Sequence, residues 1–149
     1  MNRKLLILLF FLVTFLTKAQ NVVWTTNVTD AIALSKEQRK PLLILFTGTG
    51  ASENLQIQVF NTPEFQNWSR KKVILVKLDL SAETSSEIRE QSIKLKNAFN
   101  IVELPEVCFA FANTRNGKTM FQALGKLSYK NEGAKSWISQ SEVILNPLE

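Results

Sequence analysis

Short apolar runs of strand length alternate along the chain with stretches whose apolar residues recur at helical spacing. Val22-Val23-Trp24 is an apolar lead-in suited to an edge strand. Thr29 can cap a helix that carries Ala31, Ile32 and Leu34, passes into the polar stretch Lys36 to Lys40 and stops at Pro41. Leu42 to Phe46 is apolar without interruption, the pattern of a strand buried on both faces. Thr47-Gly48-Thr49-Gly50 reads as a loop, after which Ser52 can cap a helix reaching about Phe60. Thr62 offers a new N-cap with Pro63 at the first helical position, and Phe65 and Trp68 give that helix an apolar side.

Val73 to Leu80 alternates Val73 and Leu75 with Ile74, Val76 and Leu78, and so predicts a second core strand ending near Asp79. Thr84-Ser85-Ser86-Glu87 has the capping-box form, and the helix it opens places Ile88, Ser92, Leu95 and Phe99 on one face. Pro105 precedes a short strand, Val107 to Phe111. The polar turn Asn113 to Gly117 then leads to a hairpin partner, Thr119 to Leu124. A last helix from about Asn131 carries Trp137, Ile138, Ile144 and Leu145. Strands alternating with helices imply parallel crossovers, and the closing hairpin adds an antiparallel edge. The predicted class is α/β: a mixed central sheet, helices on both faces, and a C-terminal hairpin plus helix.

The first 19 residues stand apart from this pattern. Asn2-Arg3-Lys4 is basic, Leu5 to Leu16 is apolar apart from Thr14, and Thr17-Lys18-Ala19 offers a small residue before Gln20. That order predicts a secretory signal peptide over 1–19, cleaved near Ala19-Gln20, and one domain over 20–149. The apolar run is short for a membrane span, which needs roughly 20 residues, so a membrane role is expected only if the segment stays uncleaved. No cysteine follows the run to suggest a lipid anchor. The expected location is the periplasm or the exterior.

Composition narrows the chemistry. The net charge of +5 falls by three when Arg3, Lys4 and Lys18 leave with the signal, which removes any case for nucleic acid. Arg70-Lys71-Lys72 then reads as a solvated turn. The chain has no histidine, which excludes Ser-His and Cys-His catalysis and most zinc or copper sites, so no metal or cofactor is expected. Its one cysteine, Cys108, cannot form an intramolecular disulfide and is expected to be a buried core residue. Asn27-Val28-Thr29 and Asn67-Trp68-Ser69 fit the glycosylation pattern, which matters only in a eukaryotic host.

Several stretches resemble the thioredoxin-like family. Lys40-Pro41-Leu42-Leu43-Ile44-Leu45-Phe46-Thr47-Gly48 is similar to the strand that leads into the active site of exported members, which read K-P-(apolar)-F-T-G-S-x-W-C-x-x-C. Phe60 to Phe65 followed by Val73 to Asp79 resembles the next helix and strand. Leu104-Pro105-Glu106-Val107 stands where the family has its cis-proline loop, with Asn116-Gly117-Lys118 as the hairpin turn beyond. The similarity covers roughly Trp24 to Leu145.

The resemblance also marks what is missing. The family's two cysteines would fall at Ser52 and Leu55, the tryptophan before them at Ala51, and thioredoxin's buried aspartate at Phe46. In the working motif a thiolate at a helix N-terminus attacks a disulfide and the second cysteine resolves the mixed disulfide. Ser52 and Leu55 can do neither, so the resemblance implies no catalytic residue here. Ser52 reads first as a helix cap and secondarily as a retained binding contact. In the family, backbone beside the cis proline pairs with an extended substrate segment, a contact that needs no cysteine. Gly50, Ala51, Ser52, Leu104 and Pro105 are therefore the candidate binding residues, for a peptide or protein partner in the cell envelope. Two rival readings remain: a single-thiol oxidoreductase or redox sensor using Cys108, and a structural module of an envelope complex.

Overall fold

A computed structural model describes residues 22–146. The signal-peptide reading of 1–19 lies outside the described residues. No helix among them is long and apolar enough to cross a membrane.

The elements are α1 (Val28–Gln38), β1 (Leu42–Thr47), α2 (Glu53–Leu55) continued by a π-helical turn (Gln56–Phe60), α3 (Pro63–Lys72), β2 (Ile74–Asp79), α4 (Ser86–Ala98), β3 (Glu106–Arg115), β4 (Lys118–Leu127) and α5 (Gly133–Leu145). The strands form one sheet in the order β2-β1-β3-β4. β1 pairs parallel with β2 and antiparallel with β3, and β3 pairs antiparallel with β4. The apolar lead-in reaches the sheet one residue later than its sequence suggests. Thr25 makes a single parallel bridge to Val76, donating to Leu75 O at 3.0 Å and accepting from Lys77 N at 2.9 Å.

Strand alternation divides the core into two layers. Leu43 and Leu45 of β1, Leu75 of β2, and Val107 and Phe109 of β3 face one way, under Leu55, Phe60, Phe65 and Trp137. Leu42, Ile44 and Phe46, with Ile74, Val76, Leu78 and Cys108, face the other, under Ala31 of α1 and the partly buried Leu95 of α4. The first layer is aromatic. Trp137 lies edge-on to Phe60 at 5.6 Å and to Trp68 at 6.1 Å, both at 90° between ring planes. Glu142 of α5 ties the layer to α3, accepting from Trp68 Nε1 at 2.5 Å and pairing with Lys72 at 3.4 Å.

The helix starts differ from the sequence reading in instructive ways. Asn27, not Thr29, caps α1: its side-chain oxygen accepts from Thr29 N at 2.9 Å and Asp30 N at 3.3 Å, and asparagine is the stronger cap. Thr62 caps α3 as expected, accepting from Phe65 N at 3.3 Å with Pro63 in the first turn. At α4 the capping box does not form, since Ser85 precedes the first helical residue and makes no side-chain cap bond. Ile88 of that helix is largely exposed rather than core. The polar turn expected over Asn113 to Gly117 shrinks to two residues. Asn116 and Gly117 both take positive φ, 52° and 73°, the signature of a tight type I′ hairpin, and the polar stretch before them continues β3.

Candidate functional site

One end of the sheet gathers the residues named from the sequence. β1 leaves the sheet at Thr47, which pairs with Asp79, the last residue of β2, while Phe46 pairs with Glu106, the first residue of β3. The loop after β1 and the loop before β3 therefore emerge side by side. They lie close together: a Cβ built on Gly48 would stand 3.5 Å from Leu104 Cδ1. Gly50 takes φ +67°, which favours glycine, and Ala51 N donates to Gly48 O at 3.1 Å to close the turn. The Leu104–Pro105 peptide bond is cis.

The five candidate binding residues divide between two hollows. Ala51, Leu104 and Pro105 line a cavity of about 290 Å³ together with Leu55, Asn54 and Tyr129. Gly50 and Ser52 line a separate one of about 330 Å³ on the far side of the loop, against Thr47, Lys77 and Asp79. The proline loop thus shares a surface with Ala51 but not with Ser52.

Ser52 does not act as the expected cap. Its backbone sits at φ −101° and ψ 11°, outside the extended conformation an N-cap adopts, and its side chain makes no cap bond. Its carbonyl accepts from Gln56 N at 2.8 Å instead. The helix it opens differs too: three α-helical residues pass directly into the π-helical turn. Leu55, where the resemblance puts the second cysteine, is 2% exposed and belongs to the aromatic layer.

Phe46 is fully buried in the opposite layer, with its ring 6.1 Å from Phe99. Cys108 shares that layer and has no exposed surface. Burial pushes its thiol from an ordinary 9.0 up to about 12; Lys126 opposes the shift and Glu106 adds to it. At neutral pH almost none of it is thiolate, the form that attacks disulfides. Cys108 lies three positions from Pro105 in sequence, yet it does not line the cavity beside Pro105.

The cavity also holds polar residues that the sequence reading passed over. Ser128 Oγ donates to both oxygens of Glu106, at 3.1 and 2.9 Å, and the Tyr129 hydroxyl donates to Gln58 of the π-helical turn. Glu103 and Asn131 complete the wall. Glu103 and Glu106 flank Leu104-Pro105 directly, so a wider window on the proline loop reveals them. Ser128 and Tyr129 arrive from beyond β4 and carry no local signal. Among the described residues no group of three His, Cys, Asp or Glu side chains is disposed to hold a metal ion.

The architecture matches solved structures of redox proteins. A DsbH oxidoreductase superposes with a TM-score of 0.72 over 87% of this chain and 88% of that one, at 20% identity. A thioredoxin from Thermus thermophilus gives a TM-score of 0.63 over 85% and 90%, at 12% identity. The chain has a thioredoxin-like fold. In sequence it is 30% identical over 92 residues to the thioredoxin-related protein DsbJ of Chlamydia pneumoniae, a match covering 58% of this chain and 26% of that protein. The chain thus spans only about a quarter of DsbJ's length. The disulfide bond reductase DsbH of the same organism is 22% identical over 127 residues, covering 82% of this chain and 72% of that one. No family model matches the sequence.

Proposed function

We propose that this chain is an exported thioredoxin-like protein without dithiol chemistry that holds an extended segment of a peptide or protein partner in the cell envelope. The names of DsbH and DsbJ support a place among proteins related to disulfide oxidoreductases. Within that group the change at Ser52 and Leu55 removes both halves of the exchange reaction.

The observation that carries the reading is the cavity in which Ala51 meets Leu104 and Pro105. A hollow of this kind, beside a loop that enters the sheet at Glu106, suits backbone pairing with an extended chain plus one seated side chain. Glu103 and Glu106 give its wall acidic groups. The buried Cys108 thiol disfavours the single-thiol reading, because a nucleophile needs both access and thiolate character.

The test is binding of carboxymethylated insulin B chain, an extended model polypeptide with its thiols blocked, to the protein beginning at Gln20. Saturable binding weakened about tenfold or more by Pro105→Ala supports the groove. Binding that Pro105→Ala leaves untouched places the contact elsewhere.

A further inference from the structure

A second surface, which shares no lining residue with the cavity beside Pro105, carries an argument of its own. β4 is the outer strand of the sheet, and nothing among the described elements pairs with its free edge. The two-residue turn at Asn116-Gly117 fixes which of its backbone groups are free. In such a hairpin the residues flanking the turn, Arg115 and Lys118, form a hydrogen-bonded pair, and bonded and non-bonded pairs alternate from there. Met120 and Gln122 therefore bond inward to Asn113 and Phe111. Thr119, Phe121 and Ala123 turn their N–H and C=O groups outward.

Those three residues also line a hollow of about 520 Å³ between β4 and the C-terminal end of α4. Its apolar floor is made by Phe121 and Phe99, whose rings meet edge to face at 5.5 Å. Lys126 closes one end by donating to Asn100 O at 3.1 Å. One stretch of edge thus offers free main-chain bonding and an aromatic seat for a side chain.

We propose that the β4 edge binds an extended acidic segment of another protein by strand addition, with an apolar side chain of that segment on Phe99 and Phe121. Charge selects this occupant. β4 carries Lys118 and Lys126 and no acid, and Arg115 stands opposite Lys118 across the turn. Edge lysines discourage indiscriminate pairing, and carboxylates on the incoming strand relieve them. A second copy of this chain, paired through its own β4, would bring the lysines of both strands into one seam with no carboxylate to meet them.

The test uses two synthetic peptides of alternating valine and threonine, one flanked by glutamates and one by lysines, with amide exchange followed residue by residue. The glutamate-flanked peptide should slow exchange at Thr119, Phe121 and Ala123 about tenfold or more at saturation. The lysine-flanked peptide should leave them unchanged. Ala123→Pro removes one outward N–H without touching the β3 ladder and should abolish the protection. Lys118→Glu, a surface change that leaves the fold intact, should weaken binding of the glutamate peptide by about fivefold. Equal binding of both peptides, protection appearing at Ala51 and Glu106 instead, or dimerisation of the free protein through this edge would each overturn the proposal. Because protection is read at named amides, failure here is distinct from failure of the groove at Pro105.

Discussion

Placing two cysteines in one variant, Ser52→Cys with Leu55→Cys, asks whether the fold presents a dithiol site when given the side chains of the family motif. Ser52 gives up little, because its hydroxyl makes no cap bond. Leu55 gives up more, being 2% exposed in the aromatic layer. Exchanging its isobutyl group for a thiol removes about two methylene equivalents, about 1.6 kcal/mol at about 0.8 kcal/mol each. The residual void raises the total to about 2–3 kcal/mol. A domain of ordinary stability, about 5–15 kcal/mol, tolerates that loss. Residues 52 and 55 are three apart across the start of α2, a spacing that a disulfide can span once the backbone at 52 adjusts. Under mild oxidant the double variant should join its two new thiols in a disulfide that protects both from alkylation, and with dithiothreitol it should reduce insulin above background. Neither single variant should do so. A folded double variant whose new thiols both stay reactive under oxidant would refute the expectation that this backbone can hold a dithiol pair at 52 and 55.

Two further outcomes follow from packing. At Gly125 a Cβ would stand 2.9 Å from Ile144 Cγ2, so Gly125→Ala should lower stability by about 1–3 kcal/mol as Ile144 is displaced, readable in urea unfolding. The thiol of Cys108 holds its proton in the fold to about pH 12, whereas in the unfolded chain it releases it near its ordinary 9.0. The unfolded state therefore binds fewer protons between those values, so stability should decline as pH rises from about 9 toward 12. Cys108→Ser should flatten that alkaline decline and leave the neutral region without it.

The sheet was legible because its strands obey the simplest rule available. Leu42 to Phe46 and Val73 to Asp79 declare their burial by continuous or alternating apolar residues, and the two layers fall where the alternation puts them. Thr119 to Leu124 was read as the hairpin partner and lies within β4, whereas the end of β3 was not legible, since Ala112 to Arg115 is largely polar and reads as turn. Capping was read in part. Thr62 acts at the position its proline neighbour marks, while Asn27 outcompetes Thr29 and Ser52 is held by the loop in a conformation that cannot cap. The proline loop was visible as a motif, but its neighbours Ser128 and Tyr129 reach it only through the β4 return, a contact at long sequence separation. No local pattern encodes that.

The most direct measurement of the central claim is dithiothreitol-dependent reduction of insulin disulfides by the protein beginning at Gln20, run beside its Cys108→Ser variant. The account predicts that neither exceeds the uncatalysed rate, because Ser52 and Leu55 stand where the resemblance puts the exchange cysteines and the one thiol is buried in the core. Reduction above background that disappears in Cys108→Ser would contradict it and make Cys108 the catalytic group.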